Sequence, residues 1–256
     1  MRPALRTLAG LLLAATAVAA EPCRIEIVER GDGRPVPGVE LRTTHGVRLV
    51  SDNAGLIACD LPELMGRATW FAVHGHGYDV PADGFGYRGV RLTPAPGATA
   101  RVEVDRSIVA RRLGRLTGAG LFAEAQKLGE QLDWRESGVF GADSVVTAEF
   151  GGRLHWFWGD TNLAHHPLGI FGVSAATTEG FSPPARPPLR PPYAYFTRTD
   201  AGSGELRPVG VAEVPGEGPT WLWGAVTLPD ARGEPHLVAA AVKVKGRMEA
   251  YRWDLV

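Results

Sequence analysis

A chain of 256 residues that is 45% apolar and 21% charged, with 33 Gly and 20 Pro, is neither a disordered segment nor a coiled coil. Its formal charge is −1, from 27 Lys and Arg against 28 Asp and Glu, and no basic tract stands out, which speaks against a dedicated nucleic-acid binder. The length suits one or two domains.

Arg2 and Arg6 precede an apolar run over 8–20 that ends in AVAA just before Glu21 and Pro22. This order predicts a cleaved secretory signal over 1–20. The run is too short for a bilayer, which needs about 20 apolar residues. The mature product is expected to be secreted or periplasmic, with no membrane attachment once the signal is removed. Only Cys23 and Cys59 are present, and in an oxidising compartment they are expected to form a disulfide worth roughly 3–4 kcal/mol. Neither has the spacing of a metal ligand, and no cofactor is implied.

From Arg24 to Asp105 the chain offers short β-rich runs, RIEIVE, VELRTT, VRLV, LIACD, ATWFAV, GVRL and ARVEV, separated by turn residues such as SDNAG. The spacing predicts an antiparallel sandwich of about seven strands over 21–105. The series GRPVPGVEL, SDNAGLIACDLP and WFAVHGHGY resembles the prealbumin-like, carboxypeptidase-regulatory-like sandwich. That resemblance implies an accessory module without chemistry of its own. His74 and His76 lie two apart, but no third ligand is near, so HGHGY reads as a glycine-flanked turn rather than a metal site. Residues 106–132 mix helix formers with Gly114, Gly118, Gly120 and Gly129, and read as a connector with one or two short helices.

The most informative stretch is GADSVVTAEFGGRLHWFWGDTN, 141–162. A Gly-Gly pair between two β-rich runs is a strong two-residue hairpin signal. With Gly151 and Gly152 as the loop, Phe150 faces Arg153, Val145 faces Trp158 and Asp143 faces Asp160. Alternation then places Val145, Trp156 and Trp158 on the aspartate side, and Val146, Ala148, Phe150 and Phe157 on the other. Two carboxylates side by side repel, so the pKa of one rises, giving an acid beside a carboxylate as glycoside hydrolysis requires. The competing reading is that each Asp caps its strand by accepting from turn amides. A sheet apolar on both faces belongs between neighbours, as a propeller blade does.

GADSVV followed by GGRLHWFWGDT resembles the opening blade of the five-bladed propeller glycosidases, the arabinanase and levansucrase-like group. The resemblance implies an all-β propeller-like domain over 133–256, with Asp143 as base or nucleophile and Asp160 as acid or pKa-setting partner. A second β-rich unit follows, from IFGVSAATT to MEAYRWDLV, with a turn at Asp230–Glu234. Glu217 in GEGPTW is a third acidic candidate. Trp158 and Trp221 are candidates for stacking on a sugar, and Thr161, Asn162, His165 and His166 for lining a cleft. SPPARPPLRPP, 182–192, favours an extended polyproline spacer. Too few residues follow the connector for four or more blades, so the propeller is expected to be incomplete, a fragment or a half that a second chain completes. The expected partner is a polysaccharide or oligosaccharide. The alternative function is a non-catalytic carbohydrate- or cell-surface-binding protein in which the aspartates are structural.

Overall fold

The computed structural model describes residues 21–180, 188–202, 204 and 206–256; the expected signal over 1–20 and the first part of the proline-rich segment lie outside them. The described chain is nearly all β. Its first eight strands are β1 (Cys23–Glu29), β2 (Glu40–Thr43), β3 (Arg48–Val50), β4 (Leu56–Cys59), β5 (Thr69–His74), β6 (Tyr78–Asp79), β7 (Gly89–Leu92) and β8 (Thr99–Arg106). They form two four-stranded sheets, ordered β4-β1-β8-β6 and β3-β2-β5-β7. Period-two alternation turns Ile25, Ile27, Ile57, Val102 and Val104 of one sheet and Leu41, Phe71 and Val73 of the other into a single buried cluster.

Seven of these strands fall on the runs expected from the sequence, and the eighth, β6, is two residues long. One pairing departs from the antiparallel expectation. β1 and β8 run parallel, from Arg24 opposite Thr99 to Glu29 opposite Val104. They are the first and last strands of this part, joined by a long excursion over both sheets, so no hairpin dictates their direction.

The register also bears on the expected disulfide. Cys23 and Cys59 are Cα partners across β1 and β4, yet both are free, buried thiols. The bond from Ile27 N–H to the Gly55 carbonyl (2.8 Å) continues the same ladder, and by alternation the cysteines occupy a hydrogen-bonded pair. Such pairs hold their Cα atoms about 5.5 Å apart and their Cβ atoms wider than the roughly 3.8 Å a disulfide prefers. Burial also pushes the Cys59 thiol up, away from the reactive thiolate. Titration with a thiol reagent should therefore find both cysteines inert in the native protein and two equivalents after unfolding without reductant. No reactive thiol after unfolding would show a bond instead.

The connector contributes one helix, α1 (Ala123–Lys127), whose neighbour Phe122 and member Ala125 pack on Leu56 and Leu121. The junction is tied by the SDNAG turn. Asp52 accepts from the N–H groups of Ala54 (2.9 Å), Leu56 (3.2 Å) and Ala125 (2.7 Å). Asn53 accepts from Arg115 N–H and donates to the carbonyls of Arg115 and Leu189. Leu189 and Pro191 are buried, and Arg190 bonds Asp133 while lying over the Phe122 and Trp134 rings. The described end of the proline-rich segment is thus packed against the protein and is not an open spacer.

The remaining strands are β9 (Val139–Ala142), β10 (Val146–Phe150), β11 (Arg153–Trp158), β12 (Thr161–Leu163), β13 (His166–Ile170), β14 (Val173–Thr178), β15 (Ala194–Tyr195), β16 (Thr197–Thr199), β17 (Leu206–Pro208), β18 (Gly210–Val211), β19 (Thr220–Pro229), β20 (Pro235–Lys245) and β21 (Glu249–Leu255). The sheet β10-β11-β14-β15 holds the hairpin, a small sheet β13-β12-β9 continues from its end, and β19-β20-β21 forms another. None of the sheets closes on itself among the described residues. β19 lies beside β10, where the Thr227 hydroxyl donates to the Glu149 carbonyl. The Asp230 turn joins β19 to β20 as expected, with the Asp230 carboxylate accepting from the N–H groups of Arg232 and Glu234.

Candidate functional site

The hairpin has the expected register. Phe150 faces Arg153 and Val146 faces Phe157, and both loop glycines take positive φ, 58° at Gly151 and 74° at Gly152. A two-residue loop with positive φ at both positions matches the right-handed twist of its strands, which is why this dipeptide sets the pairing. The pairing carries through to the aspartates: Asp143 N–H donates to the Asp160 carbonyl (3.1 Å), and beyond them Ala142 faces Thr161.

The face they occupy is not the expected one. Between the two ladders Ser144 takes a left-handed φ of 47°, and Gly159 N–H bonds the Asp143 carbonyl (3.0 Å). An irregularity of this kind resets the alternation of side chains. Both aspartates therefore line a cavity with Val146 and Phe157, residues of the opposite face. Gly159 gives the Asp143 carboxylate its place: a Cβ there would stand 2.2 Å from Asp143 Oδ1, and the exposed carboxylate would have to swing away.

The cavity measures about 340 Å³, within the range of small-ligand sites. Its second wall comes from β19 as Trp221, Leu222 and Trp223. Trp221 Nε1–H donates to Asp160 Oδ1 (3.1 Å), and its ring meets Phe171 edge-on at 5.8 Å. Burial holds the Asp160 carboxyl above the usual carboxylate range; the Trp221 bond opposes this shift and the Asp143 charge adds to it. Asp143 is exposed, and its carboxylate makes no hydrogen bond among the described residues. Of the two sequence readings, capping finds no support at Asp143 among the described residues, while the Asp160 carboxylate accepts from the Trp221 indole and also from the Gly172 backbone N–H.

This arrangement bears on stability. A proton is bound more tightly by Asp160 in the folded than in the unfolded chain, so its contribution is complete below the ordinary Asp range and is lost as pH rises through the raised value. Asp160→Asn should leave the melting temperature unchanged near pH 3 and raise it near pH 7. The gain should be no more than about 1 kcal/mol for so solvated a pair. A melting-temperature profile against pH checks this, and a variant less stable at pH 7 would refute it.

The other expected site residues are dispersed. Trp158 touches the cavity but is only 4% exposed, stacked on Trp156 (6.2 Å) and Tyr195 (5.3 Å), so it is core and offers no face to a sugar. Its regular alternation with Trp156 along β11 turns it inward. Thr161 is buried, hydrogen-bonded to Ser174 (2.7 Å). Asn162, His165 and His166 line a separate cleft with Phe140 and Pro167. Glu217 is exposed in the turn before β19 and lies outside the cavity lining; its carbonyl accepts from Tyr251 OH (2.9 Å). His74 Nε2 lies 3.1 Å from an Arg42 guanidinium nitrogen.

Sequence reasoning missed Trp223, 66% exposed at the cavity mouth and 5.8 Å from Trp253. It belongs to a strand far along the chain, and only its TWLW spacing from Trp221 hinted at a role.

Fold and site together define an all-β protein with an open cavity in which two aspartates face paired tryptophans. The chain matches no family model, no curated protein and no solved structure. Among the described residues, no helix is long and apolar enough to cross a membrane.

Proposed function

We propose that this chain is an exported carbohydrate-active protein whose paired aspartates hydrolyse a glycosidic bond. The observation that carries the reading is the opening of exposed Asp143 and of Asp160, whose carboxyl burial holds above the usual carboxylate range, onto one cavity beside Trp221 and Trp223. Asp160 donates its proton to the departing glycosidic oxygen, and the Trp221 N–H then stabilises the carboxylate left behind. Asp143, whose carboxylate has no hydrogen bond among the described residues, acts as nucleophile or as base toward water. The exposed Trp223 ring supplies an apolar face for the sugar.

In this reading the first eight strands are a prealbumin-like sandwich. The sheets β10-β11-β14-β15 and β19-β20-β21 are blades of a five-bladed-propeller-like domain. The two opposed sheets over one core support the first assignment, and the lodging of β19 against β10 supports the second. A non-catalytic carbohydrate-binding role is favoured by one observation, the position of Glu217 outside the cavity. Incubation with arabinan, levan, xylan and mixed-linkage glucan, read by release of reducing sugar, separates them. Hydrolysis of one polymer is expected; binding without hydrolysis would establish the alternative, and neither would end both.

A further inference from the structure

The outer face of the β3-β2-β5-β7 sheet carries a cleft that the aspartate site does not use. Ala72 and Gly89 face each other across β5 and β7, and these small residues leave a depression in the sheet. The Trp70 indole fills one side by lying over Gly89, where a Cβ would stand 2.4 Å from the ring. Tyr87 meets Trp70 edge-on at 6.2 Å and 79°, and remains 64% exposed. Its placement is built in: the Asp83 carboxylate accepts from the N–H groups of Phe85 and Tyr87 (2.9 Å each), and Asp83 N–H bonds the Tyr87 carbonyl (2.9 Å). Gly86 at φ 85° makes this turn possible.

The cleft, about 730 Å³, continues from these rings to Glu40, His74, His76, Asp79 and Arg88. Its charges are largely matched within the protein, Glu40 with Arg42 (3.4 Å) and Asp79 with Arg88 (3.9 Å). Matched charges give no net field for a phosphate or a cation, and leave donors and acceptors side by side. A ligand with an apolar ring face and a rim of hydroxyls suits such a surface.

We infer that this cleft is a second saccharide-binding site, with the edge-on Trp70 and Tyr87 rings as two aromatic walls and the Glu40, His74 and Asp79 side chains as hydroxyl partners. It goes beyond the hydrolytic reading, because the two rings need neither aspartate of the cavity. A ring carried on a hydrogen-bonded turn loses less backbone freedom on binding than one on a free loop, so the geometry favours affinity over chemistry.

Affinity electrophoresis of the full chain through gels containing arabinan, levan, xylan or mixed-linkage glucan tests it. At least one polymer should retard the protein. Tyr87→Ala, a change at an exposed side chain that should not disturb folding, should weaken that retardation about five- to tenfold. Asp83→Ala, which frees the turn but keeps the ring, should weaken it less. Asp143→Asn should retain it, and Tyr87→Ala should leave any release of reducing sugar from short oligosaccharides unchanged, so the two sites fail separately. Retardation by no polymer, or equal retardation of Tyr87→Ala and the parent, would overturn the inference.

Discussion

Asp143→Asn should lower hydrolysis of the preferred polysaccharide by about 10³-fold or more while the protein stays folded, because a nucleophile or base held in place contributes on that scale. The side chain is exposed, and its removal leaves no buried partner without a bond. Unchanged circular dichroism and a melting temperature no lower than the parent's should accompany the loss, since the Asp143 charge only adds to the repulsion at Asp160. Gly159→Ala should act in the same direction by another route, because the added methyl would collide with Asp143 Oδ1 and turn the carboxylate away. Full activity in Asp143→Asn would remove this residue from the chemistry, and unfolding of the variant would restore the capping role that the geometry argues against.

Asp52→Ala should destabilise the protein by about 2–4 kcal/mol, since it strands three backbone N–H groups at a residue only 2% exposed. For a chain of this size that corresponds to a fall in melting temperature of about 10 °C, measurable by calorimetry. Asp52→Asn separates the contributions. Its carbonyl oxygen can still serve Ala54 and Leu56, but its amide would point a donor at Ala125 N–H, so the cost falls on the tie to α1. A change of less than 1 kcal/mol in Asp52→Ala, within the range of an ordinary surface site, would show that water replaces the carboxylate.

Much of the local structure was legible because its causes are local. Gly151 and Gly152 set the hairpin register by their own conformational freedom, and that register carries on to bring Asp143 opposite Asp160. The strands of the first part fall on the alternating runs because each run buries one face. Residues whose partners are remote were not legible. SDNAG reads as a turn, yet Asp52 and Asn53 are defined by Ala125, Arg115 and Leu189, which no pattern within the turn announces. Trp158 looked like a ligand platform because alternation was carried through Ser144, whose left-handed backbone breaks the count. Trp223 and the Trp70–Tyr87 pair were overlooked because their surroundings are assembled from separate strands.

By itself, the order of amino acids determined an all-β chain, the positions of most of its strands, the glycine hairpin and the opposition of two acidic residues, since each depends on forces acting over a few neighbours. Tertiary structure alone decided which face the acids occupy, which indoles stay wet, that β1 joins β8 in parallel and that Cys23 comes to lie opposite Cys59. Those outcomes depend on how distant strands pack, and the free energy of packing is a property of the assembled surfaces, not of any short segment.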